Sequence, residues 1–298
     1  MPCFSPLKGY RSRTPSGSGR FPIVFNPKHG FIDQVVEVAC GNCIGCRLER
    51  ARQAGVRISD HALMHDRNSY LTLTYDDESV PADGSLCHAD VQSFMKRLRS
   101  RIKPKVSYVV AGEYGDDEWR PHYHMALFNY CPTDLVYWKD SKGFPLYRSP
   151  FLEEVWRNGF VFVGDLNFDT GCYIGGYVLK KINGDLADEH YRRFDPETGE
   201  IYWLKPEYIV WSNGIGRSCF ERFGSDVFPA DRCVVKGKPQ KPPKYYDRLY
   251  EADNPEDMKR IKEERSARAL KHKQDSTPRR LRDREEVSKA RAKLFGHK

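Results

Sequence analysis

Residues 106–130 read VSYVVAGEYGDDEWRPHYHMALFNY, and the fold is decided in this stretch. Its two ends, VSYVVAGEYG and HYHMALFNY, are rich in β-branched and aromatic residues, which favour strands. The polar DDEWRP between them is typical of a turn that joins two antiparallel strands. The stretch therefore predicts a β-hairpin, from which the elements on either side can be placed.

The segments around this hairpin predict an α+β domain. SYLTLTYDD at 69–77 alternates as a strand does, and VQSFMKRLRSRI at 91–102 has an apolar stripe at helical spacing, with Asp90 as its expected N-cap. FLEEVWRNG at 151–159 predicts a helix and FVFVGDL at 160–166 a strand. This order indicates a central, mainly antiparallel sheet of about five strands flanked by helices.

Three more segments have clear patterns. RLERARQAGVRISDHALMH at 47–65 and TGCYIGGYVLKKI at 170–182 place apolar residues at helical spacing. DPETGE separates YRRF from IYWL, which predicts a second hairpin.

The composition is that of a polar chain that can still bury a core. Of 298 residues, 39% are hydrophobic and 13% aromatic. No apolar run approaches the roughly 18 residues that a membrane span needs. The start, MPCFSPLKGYRSR, has no apolar stretch behind its charges, so we expect neither a span nor a signal peptide.

The net charge of +8 is unevenly distributed. Residues 236–298 hold 20 Lys and Arg against 11 Asp and Glu, whereas residues 1–235 hold 29 against 30. A basic tail suits an anionic polymer, although a solvated charged helix would have the same composition. We predict a Cys-rich segment at 1–60, an α+β domain at 61–235, and a Pro/Lys-rich connector with a basic helical tail at 236–298.

Three of the nine cysteines form one motif. Cys40, Cys43 and Cys46 are spaced C-x-x-C-x-x-C, which lets their thiolates converge on one metal ion. Cys3 is the expected fourth ligand, and His29 is a weaker candidate. We predict a structural zinc site, with an iron–sulfur cluster or unliganded reduced thiols as alternatives.

Two histidines and a glutamate of the first hairpin predict a second metal site. His122 and His124 are two residues apart on a strand, so both side chains project from one face. Glu113 ends the paired strand, which places its carboxylate beside the imidazoles. This set leaves coordination positions open, as a catalytic Mg²⁺ or Mn²⁺ ion requires. The alternative is a pair of solvated histidines without a ligand.

A pair of tyrosines follows in the helix at 170–182. Tyr173 and Tyr177 share one face of that helix, and Lys180 and Lys181 continue it. The glycines at 175–176 destabilise a helix, which indicates a close approach there. Ordinary aromatic packing would explain the pair equally well. A tyrosine hydroxyl beside a metal-polarised phosphate would be a nucleophile.

In combination, these motifs resemble those of a known family. YLTLTYDD, GEYG with RPHYHMALF, and Tyr-x-x-x-Tyr-x-x-Lys resemble the three motifs of HUH endonucleases that initiate rolling-circle replication. The chain looks most like the initiators of microviruses of the gokushovirus type. ACGNCIGCR, FMKRLR, SNGIGRSCFERF and PPKYYDRLYE extend the likeness over about residues 1–250.

The resemblance implies an HUH-type fold and a role for each motif. His122, His124 and Glu113 match the ligands of the divalent cation. Tyr173 and Tyr177 match the two nucleophiles of initiators that nick with one tyrosine and transfer the strand with another. Lys180 matches the lysine after the second tyrosine, whereas the same position after the first tyrosine is Gly176.

The implied reaction nicks an origin, leaves a 5′-phosphotyrosine and a priming 3′-OH, and later rejoins the strand. No G-x-x-x-x-G-K-[ST] motif is present, consistent with joining that needs no ATP. The implied partners are single-stranded or supercoiled origin DNA, a host helicase and the replication machinery, in the cytoplasm of an infected bacterium. The oligomeric state is left open.

Other basic residues are candidates for DNA contacts. Arg97, Arg99 and Arg101 lie mostly outside the apolar stripe of their helix, and together with Lys181 and the basic tail they are expected to contact the DNA backbone. Solvated helix faces are the alternative. The rival functions are a relaxase or single-strand transposase of the same chemistry, a plain metallohydrolase, and a DNA-binding regulator without catalysis.

Overall fold

The computed structural model describes residues 3–17, 19–115, 118–141, 143–177, 186–195 and 198–294. The chain divides into two compact units. One unit combines Met1–Arg50 with Lys259–Lys298, and the other is Ala51–Met258. The boundaries expected from the sequence, 1–60, 61–235 and 236–298, stay a prediction.

The helices and strands of the described residues are numbered in chain order. They are β1 (Leu7–Ser12), β2 (Ile23–Val24), β3 (Gly30–Val38), α1 (Ile44–Ala62), β4 (Asn68–Tyr75), α2 (His88–Arg101), β5 (Ser107–Tyr114), β6 (Pro121–Phe128), β7 (Val136–Ser141), β8 (Phe144–Arg148), α3 (Pro150–Trp156), β9 (Gly159–Gly164), α4 (Phe168–Tyr177), α5 (Leu186–Tyr191), β10 (Arg192–Phe194), β11 (Ile201–Trp203), β12 (Tyr208–Trp211), α6 (Arg217–Val227), β13 (Cys233–Val235), β14 (Lys238–Gln240), α7 (Lys244–Asp253), α8 (Pro255–Lys271) and α9 (Pro278–Leu294).

A seven-stranded antiparallel sheet organises the unit Ala51–Met258. Its order is β12-β5-β6-β4-β9-β8-β7. The α+β class is confirmed, and β5 and β6 form the predicted hairpin. The expectation of about five strands was wrong, because β12 and the hairpin of β7 and β8 were not anticipated. The side chains of β7 are mostly exposed, so the strand lacks the buried alternation that marks strands in a sequence.

The two faces of this sheet are covered differently. On one face, α2 and α3 contribute Phe94, Leu98 and Trp156 to a core with the strand residues Leu71 and Val163. The opposite face is packed over part of its width by Ile58 of α1 and Ile174 of α4. These two helices pack against residues of β5 and β6 such as Ala111, Ala126 and Phe128.

Helices α1 and α4 pack closely through small residues. A Cβ atom added at Gly175 would lie 2.3 Å from the Cβ of Ala54, and one added at Gly55 would lie 2.3 Å from the Sγ of Cys172. The close approach predicted from the glycine pair is therefore present at Gly175. At Gly176 an added Cβ would meet nothing within 4 Å.

The start of α2 differs from the sequence prediction. Cys87 is the N-cap, whereas Asp90 lies in the first turn of the helix. The Asp90 carboxylate accepts a hydrogen bond of 2.7 Å from the hydroxyl of Tyr75. A side chain that faces a neighbouring strand in this way cannot also cap the helix.

The C-terminal part of the unit Ala51–Met258 contains packed structure. Tyr246 of α7 is buried and donates a hydrogen bond of 2.7 Å to Asp60. Residues 236–258 hold five basic and five acidic residues, so the whole positive excess of the tail lies in residues 259–298.

Among the described helices, none has the length and apolar character to cross a membrane.

Candidate metal and tyrosine site

Strands β5 and β6 bring one carboxylate and two imidazoles together. Glu113 is paired directly with His122, and Ala111 with His124, so all three functional side chains share a face. The Oε1 atom of Glu113 lies 2.7 Å from Nε2 of His122 and 3.1 Å from Nε2 of His124. One ligand atom from each residue falls within 4.8 Å of the other two. Glu113 and His124 are buried, and His122 is half-buried.

The other nitrogen of each imidazole is held by a neighbour. Nδ1 of His122 lies 3.2 Å from the carbonyl oxygen of Arg120, to which it donates. Nδ1 of His124 lies 2.5 Å from the hydroxyl of Tyr70 and 3.1 Å from that of Thr72. The Nε2–H group of each ring donates to the ionised carboxylate of Glu113, and a bound cation would take the place of these two protons. Histidine ligands of metals are oriented in this way by their outer partners.

Electrostatics keep the carboxylate ionised. Burial alone would raise the pKa of Glu113, but hydrogen bonds and charge interactions with His122 and His124 outweigh it and hold the pKa at about 2. Burial raises the pKa of Tyr70 well above its ordinary value, and the nearby Tyr173 and Glu113 add to this, so Tyr70 keeps its proton. Two nitrogens and an ionised oxygen that converge are a donor set suited to a divalent cation.

Helix α4 places a phenol beside this group. The ring centroid of Tyr173 lies 5.3 Å from that of His124 and 6.5 Å from that of Tyr70, and 41% of the residue is exposed. The neighbouring residue Ile174 is fully buried against the sheet. The structure therefore brings together four of the predicted site residues, which are Glu113, His122, His124 and Tyr173.

The remaining residues of the tyrosine motif are less fully described. Tyr177 ends α4, one turn after Tyr173, and its side chain lies outside the described part of the chain. Lys180 and Lys181 also lie outside the described residues. Their predicted roles stay predictions.

Sequence reasoning missed Tyr70 and Thr72, although the signal was present. Tyr70 and Thr72 are two residues apart on strand β4, so their side chains share a face. The structure pairs β4 with β6 and places Thr72 directly opposite His124. The YLTLTYDD motif thus supplies groups that orient a metal-ligand candidate. The sequence alone predicted the strand but not its neighbour.

The second candidate metal group lies in the unit of Met1–Arg50 and Lys259–Lys298. The Sγ atoms of Cys3, Cys40, Cys43 and Cys46 lie within 4.8 Å of one another. Cys3 is 3.7 Å from Cys40 and 3.9 Å from Cys43, and Cys40 is 4.0 Å from Cys46. Four sulfurs bound tetrahedrally at about 2.3 Å from zinc would be roughly 3.8 Å apart. Cys3, rather than His29, completes the cluster.

Backbone N–H groups surround these sulfurs. The N–H of Phe4 donates to Cys43 at 3.2 Å, and that of Cys40 donates to Cys3 at 3.3 Å. Burial alone would raise the pKa of Cys43, but hydrogen bonds from Phe4 and Cys46 outweigh it and lower the pKa to about 7. A thiolate is the form that binds metal, so this environment favours Cys43 as a ligand. Burial acts in the opposite direction at its neighbours, raising the pKa of Cys3 and raising that of Cys46 to about 12, so the cation itself would have to displace those protons.

The three arginines of α2 have partners within the protein. Arg97 donates to the carbonyl oxygens of Val155 and Trp156, at 2.7 and 2.9 Å. Arg99 donates to the carbonyl oxygen of Val106 at 3.3 Å, and Arg101 forms an ion pair of 2.7 Å with Glu154. These contacts stabilise the ends of α2 and α3. DNA contact by these arginines stays a prediction.

The fold and the site define an α+β protein with a tyrosine beside a candidate divalent-metal centre. The model of the family described as replication-associated protein ORF2/G2P matches residues 68–182, which include this centre and both tyrosines. No solved structure matches the chain.

Relatives of the chain include replication-associated proteins of phages. The chain is 31% identical over 228 residues to replication-associated protein VP4 of Bdellovibrio phage phiMH2K, covering 73% of this chain and 68% of that protein. It is 30% identical to replication-associated protein ORF2 of Spiroplasma virus 4, covering 72% and 68%, and 32% identical to ORF4 of Chlamydia phage 1, covering 48% and 38%. The chain belongs to the family of microvirus-type replication-associated proteins, the rolling-circle replication initiators.

Proposed function

We propose that this replication protein is an HUH-type endonuclease and strand transferase, which nicks one strand of its phage origin by tyrosine attack. One observation carries the proposal: the Tyr173 ring lies 5.3 Å from that of His124, within a group that can hold a divalent cation. A plain metallohydrolase would leave this tyrosine without a role. The sequence motifs led us to expect a tyrosine next to the metal group, and the short distance between Tyr173 and His124 supports that expectation.

Glu113, His122 and His124 would hold the cation through Oε1 and the two Nε2 atoms. A bound cation would polarise a non-bridging oxygen of the phosphate and neutralise developing negative charge. Imidazole nitrogens suit a transition metal, so this donor set favours Mn²⁺ over Mg²⁺, which prefers oxygen ligands. Tyr70, Thr72 and the carbonyl of Arg120 keep the imidazoles oriented toward Glu113.

Tyr173 would be the nucleophile for the nick. Its hydroxyl oxygen forms a bond to the phosphorus and loses its proton, while the bond from phosphorus to the 3′-oxygen breaks and that oxygen is protonated. The products are a 5′-phosphotyrosine and a free 3′-OH that can prime synthesis. The bond energy is retained in the phosphotyrosine. A later attack by Tyr177 on a regenerated junction would move the 5′-phosphate to Tyr177 and free a 3′-OH, and attack of this 3′-OH on the Tyr173 phosphotyrosine would close the strand and restore the Tyr173 hydroxyl without ATP.

The proposal is tested with labelled single-stranded DNA from the phage origin. In Mn²⁺ buffer, the wild-type protein should form a covalent adduct with the DNA that carries the new 5′ end. Tyr173→Phe should lose the first adduct, and the double variant with Tyr177→Phe should form none. Tyr147→Phe, a tyrosine of β8, is the matched control. An adduct that persists in the double variant would refute the assignment of nucleophiles.

The same experiment separates the rival functions. DNA binding without cleavage or adduct would favour a non-catalytic regulator. An adduct on transfer-origin or transposon-end DNA, but not on the phage origin, would favour a relaxase or transposase. EDTA should abolish nicking, as should His122→Ala or His124→Ala, and full activity of either variant would remove that histidine from the site. The host helicase and replication machinery remain proposed partners.

A further inference from the structure

The sheet face that carries the metal group continues onto strands β4 and β9. Thr72 of β4 is paired with His124 on one side and with Phe162 of β9 on the other. Thr74 is paired in the same way with His122 and Phe160. Directly paired residues of antiparallel strands share a face. Two rows of side chains therefore run from the histidines, past threonine hydroxyls, to two phenylalanines.

Within the described part of the chain, helices cover only part of this face. Residues of α1 and α4 pack on β5 and β6, and this core reaches β4 at Tyr70. Farther along the rows, Phe160 is 43% exposed, and Trp138 of β7 is 49% exposed. An aromatic surface of this kind on a folded protein commonly marks a binding site.

Four side chains form a cluster at that end of the face, which we call the aromatic platform: Trp138, Phe160, Phe162 and Arg148. The rings of Trp138 and Phe162 lie 6.4 Å apart. The guanidinium carbon of Arg148 lies 5.4 Å from the Trp138 ring centroid and 5.0 Å from that of Phe160. Glu153 holds this guanidinium through two hydrogen bonds, of 2.7 and 2.8 Å.

An irregularity in β7 places Trp138 in the platform. Tyr137 is paired with Tyr147 and Lys139 with Leu146, so Trp138 is an extra residue between them. Tyr137 contacts Tyr147, whose paired residue Val163 belongs to the core on the opposite face. Bulges redirect side chains in this way. Without the extra residue, the alternation of β7 would put Trp138 and Lys139 on opposite faces.

We propose that the aromatic platform stacks bases of the single-stranded origin DNA next to the scissile phosphate, and this inference rests on the proposed function. Exposed aromatic rings beside a cation are the features that bind single strands, because every base has a π-face. The exposed Lys139 supplies positive charge for a phosphate backbone, whereas Glu153 balances the charge of Arg148 and fixes its guanidinium beside the rings. Strands lie about 4.8 Å apart, so the platform is roughly 10–19 Å from the histidines. A few nucleotides span that distance.

The test uses two fluorescein-labelled probes with equal numbers of phosphates: a 20-mer of thymidine and a 20-mer of abasic residues. Affinity is measured by anisotropy with the full-length protein in EDTA, so that cleavage does not contribute. Trp138→Ala and Phe160→Ala should each weaken binding of the thymidine probe at least about fivefold, the effect of losing one stacked base. They should leave binding of the abasic probe and the salt dependence unchanged.

Tyr137→Ala is the matched control, because it removes an exposed aromatic ring from the same strand but on the opposite face. Unchanged affinity for the thymidine probe in Trp138→Ala and Phe160→Ala would overturn the inference, as would equal weakening for both probes. The covalent adduct is measured separately in Mn²⁺. If the wild-type protein forms the adduct but the platform variants bind the thymidine probe normally, the inference about base stacking is refuted and the proposed function stands. If no adduct forms, the proposed function is refuted, whatever the binding result.

Discussion

At the scale of single residues, the hydroxyl of Tyr70 positions a metal-ligand candidate. It lies 2.5 Å from Nδ1 of His124, and burial keeps it protonated. Loss of an outer partner of a metal ligand typically lowers metal affinity about 10–100-fold. We therefore expect Tyr70→Phe to weaken Mn²⁺ binding by that factor, as measured by electron paramagnetic resonance titration.

Tyr75→Phe is the control for this prediction. Tyr75 is also buried on β4, but its hydroxyl bonds to Asp90 and Tyr123 on the opposite face of the sheet. Its loss should change stability without changing Mn²⁺ affinity. Equal Mn²⁺ affinity in Tyr70→Phe and the wild-type protein would exclude a positioning role for Tyr70.

At the scale of elements, the packing of α4 on α1 sets the position of Tyr173. A methyl group at Gly175 would collide with Ala54 at 2.3 Å, whereas one at Gly176 would meet nothing within 4 Å. We expect Gly175→Ala to cost about 1–3 kcal/mol of unfolding free energy by overpacking. Gly176→Ala should instead stabilise the protein by roughly 0.5–1 kcal/mol, as alanine does inside a helix.

Urea unfolding of the two variants measures the change in unfolding free energy, which should be opposite in sign for Gly175→Ala and Gly176→Ala. Because the collision would push α4 away from α1 and so shift Tyr173, Gly175→Ala should also reduce adduct formation, and Gly176→Ala should not. Equal stability and equal adduct yields in the two variants would show that the helix contact does not position the tyrosine.

At the scale of the whole molecule, a metal at the four cysteines would join distant parts of the chain. Cys3 is 37 residues before Cys40, and their unit of Met1–Arg50 and Lys259–Lys298 has few buried apolar side chains, among them Ile261, Leu281 and Ala292. A structural zinc ion contributes folding energy directly where a core is small. We propose that this unit depends on zinc.

Purified protein should accordingly contain one zinc per chain by metal analysis, and Cys43→Ser should contain none. Limited proteolysis of Cys43→Ser should degrade residues 1–50 and 259–298 first and leave a fragment near residues 51–258. Cys131→Ser, which alters an isolated cysteine, is the control and should match the wild-type protein. Iron in place of zinc would identify a cluster of another kind, and an intact unit without metal would contradict the prediction.

The charge distribution also belongs to this scale. Residues 259–298 hold 15 Lys and Arg against six Asp and Glu, and they lie in the same unit as the cysteines. The candidate metal and tyrosine site lies in the other unit, Ala51–Met258, which holds 27 Lys and Arg against 32 Asp and Glu. Binding of DNA by the basic residues of α8 and α9 stays a proposal.

Much of the site could be predicted because its determinants are local. The alternation of β6 places His122 and His124 on one face, and a short turn pairs that strand with the one that carries Glu113. The two-residue spacers bring three cysteines together for the same reason. In each case the side-chain geometry follows from backbone periodicity over a few residues, which the sequence displays directly.

The sequence by itself thus determined the α+β class, the central hairpin, the group of Glu113, His122 and His124, and three of the four cysteines of the second group. Only the tertiary structure decided which strands adjoin the hairpin, and hence that Tyr70 and Thr72 hold His124 and that Tyr173 lies beside it. It also decided that Cys3 completes the cysteine cluster and that Trp138 joins the platform. These contacts join residues that are distant in the chain. They depend on strand order and helix packing, which local sequence patterns do not reveal.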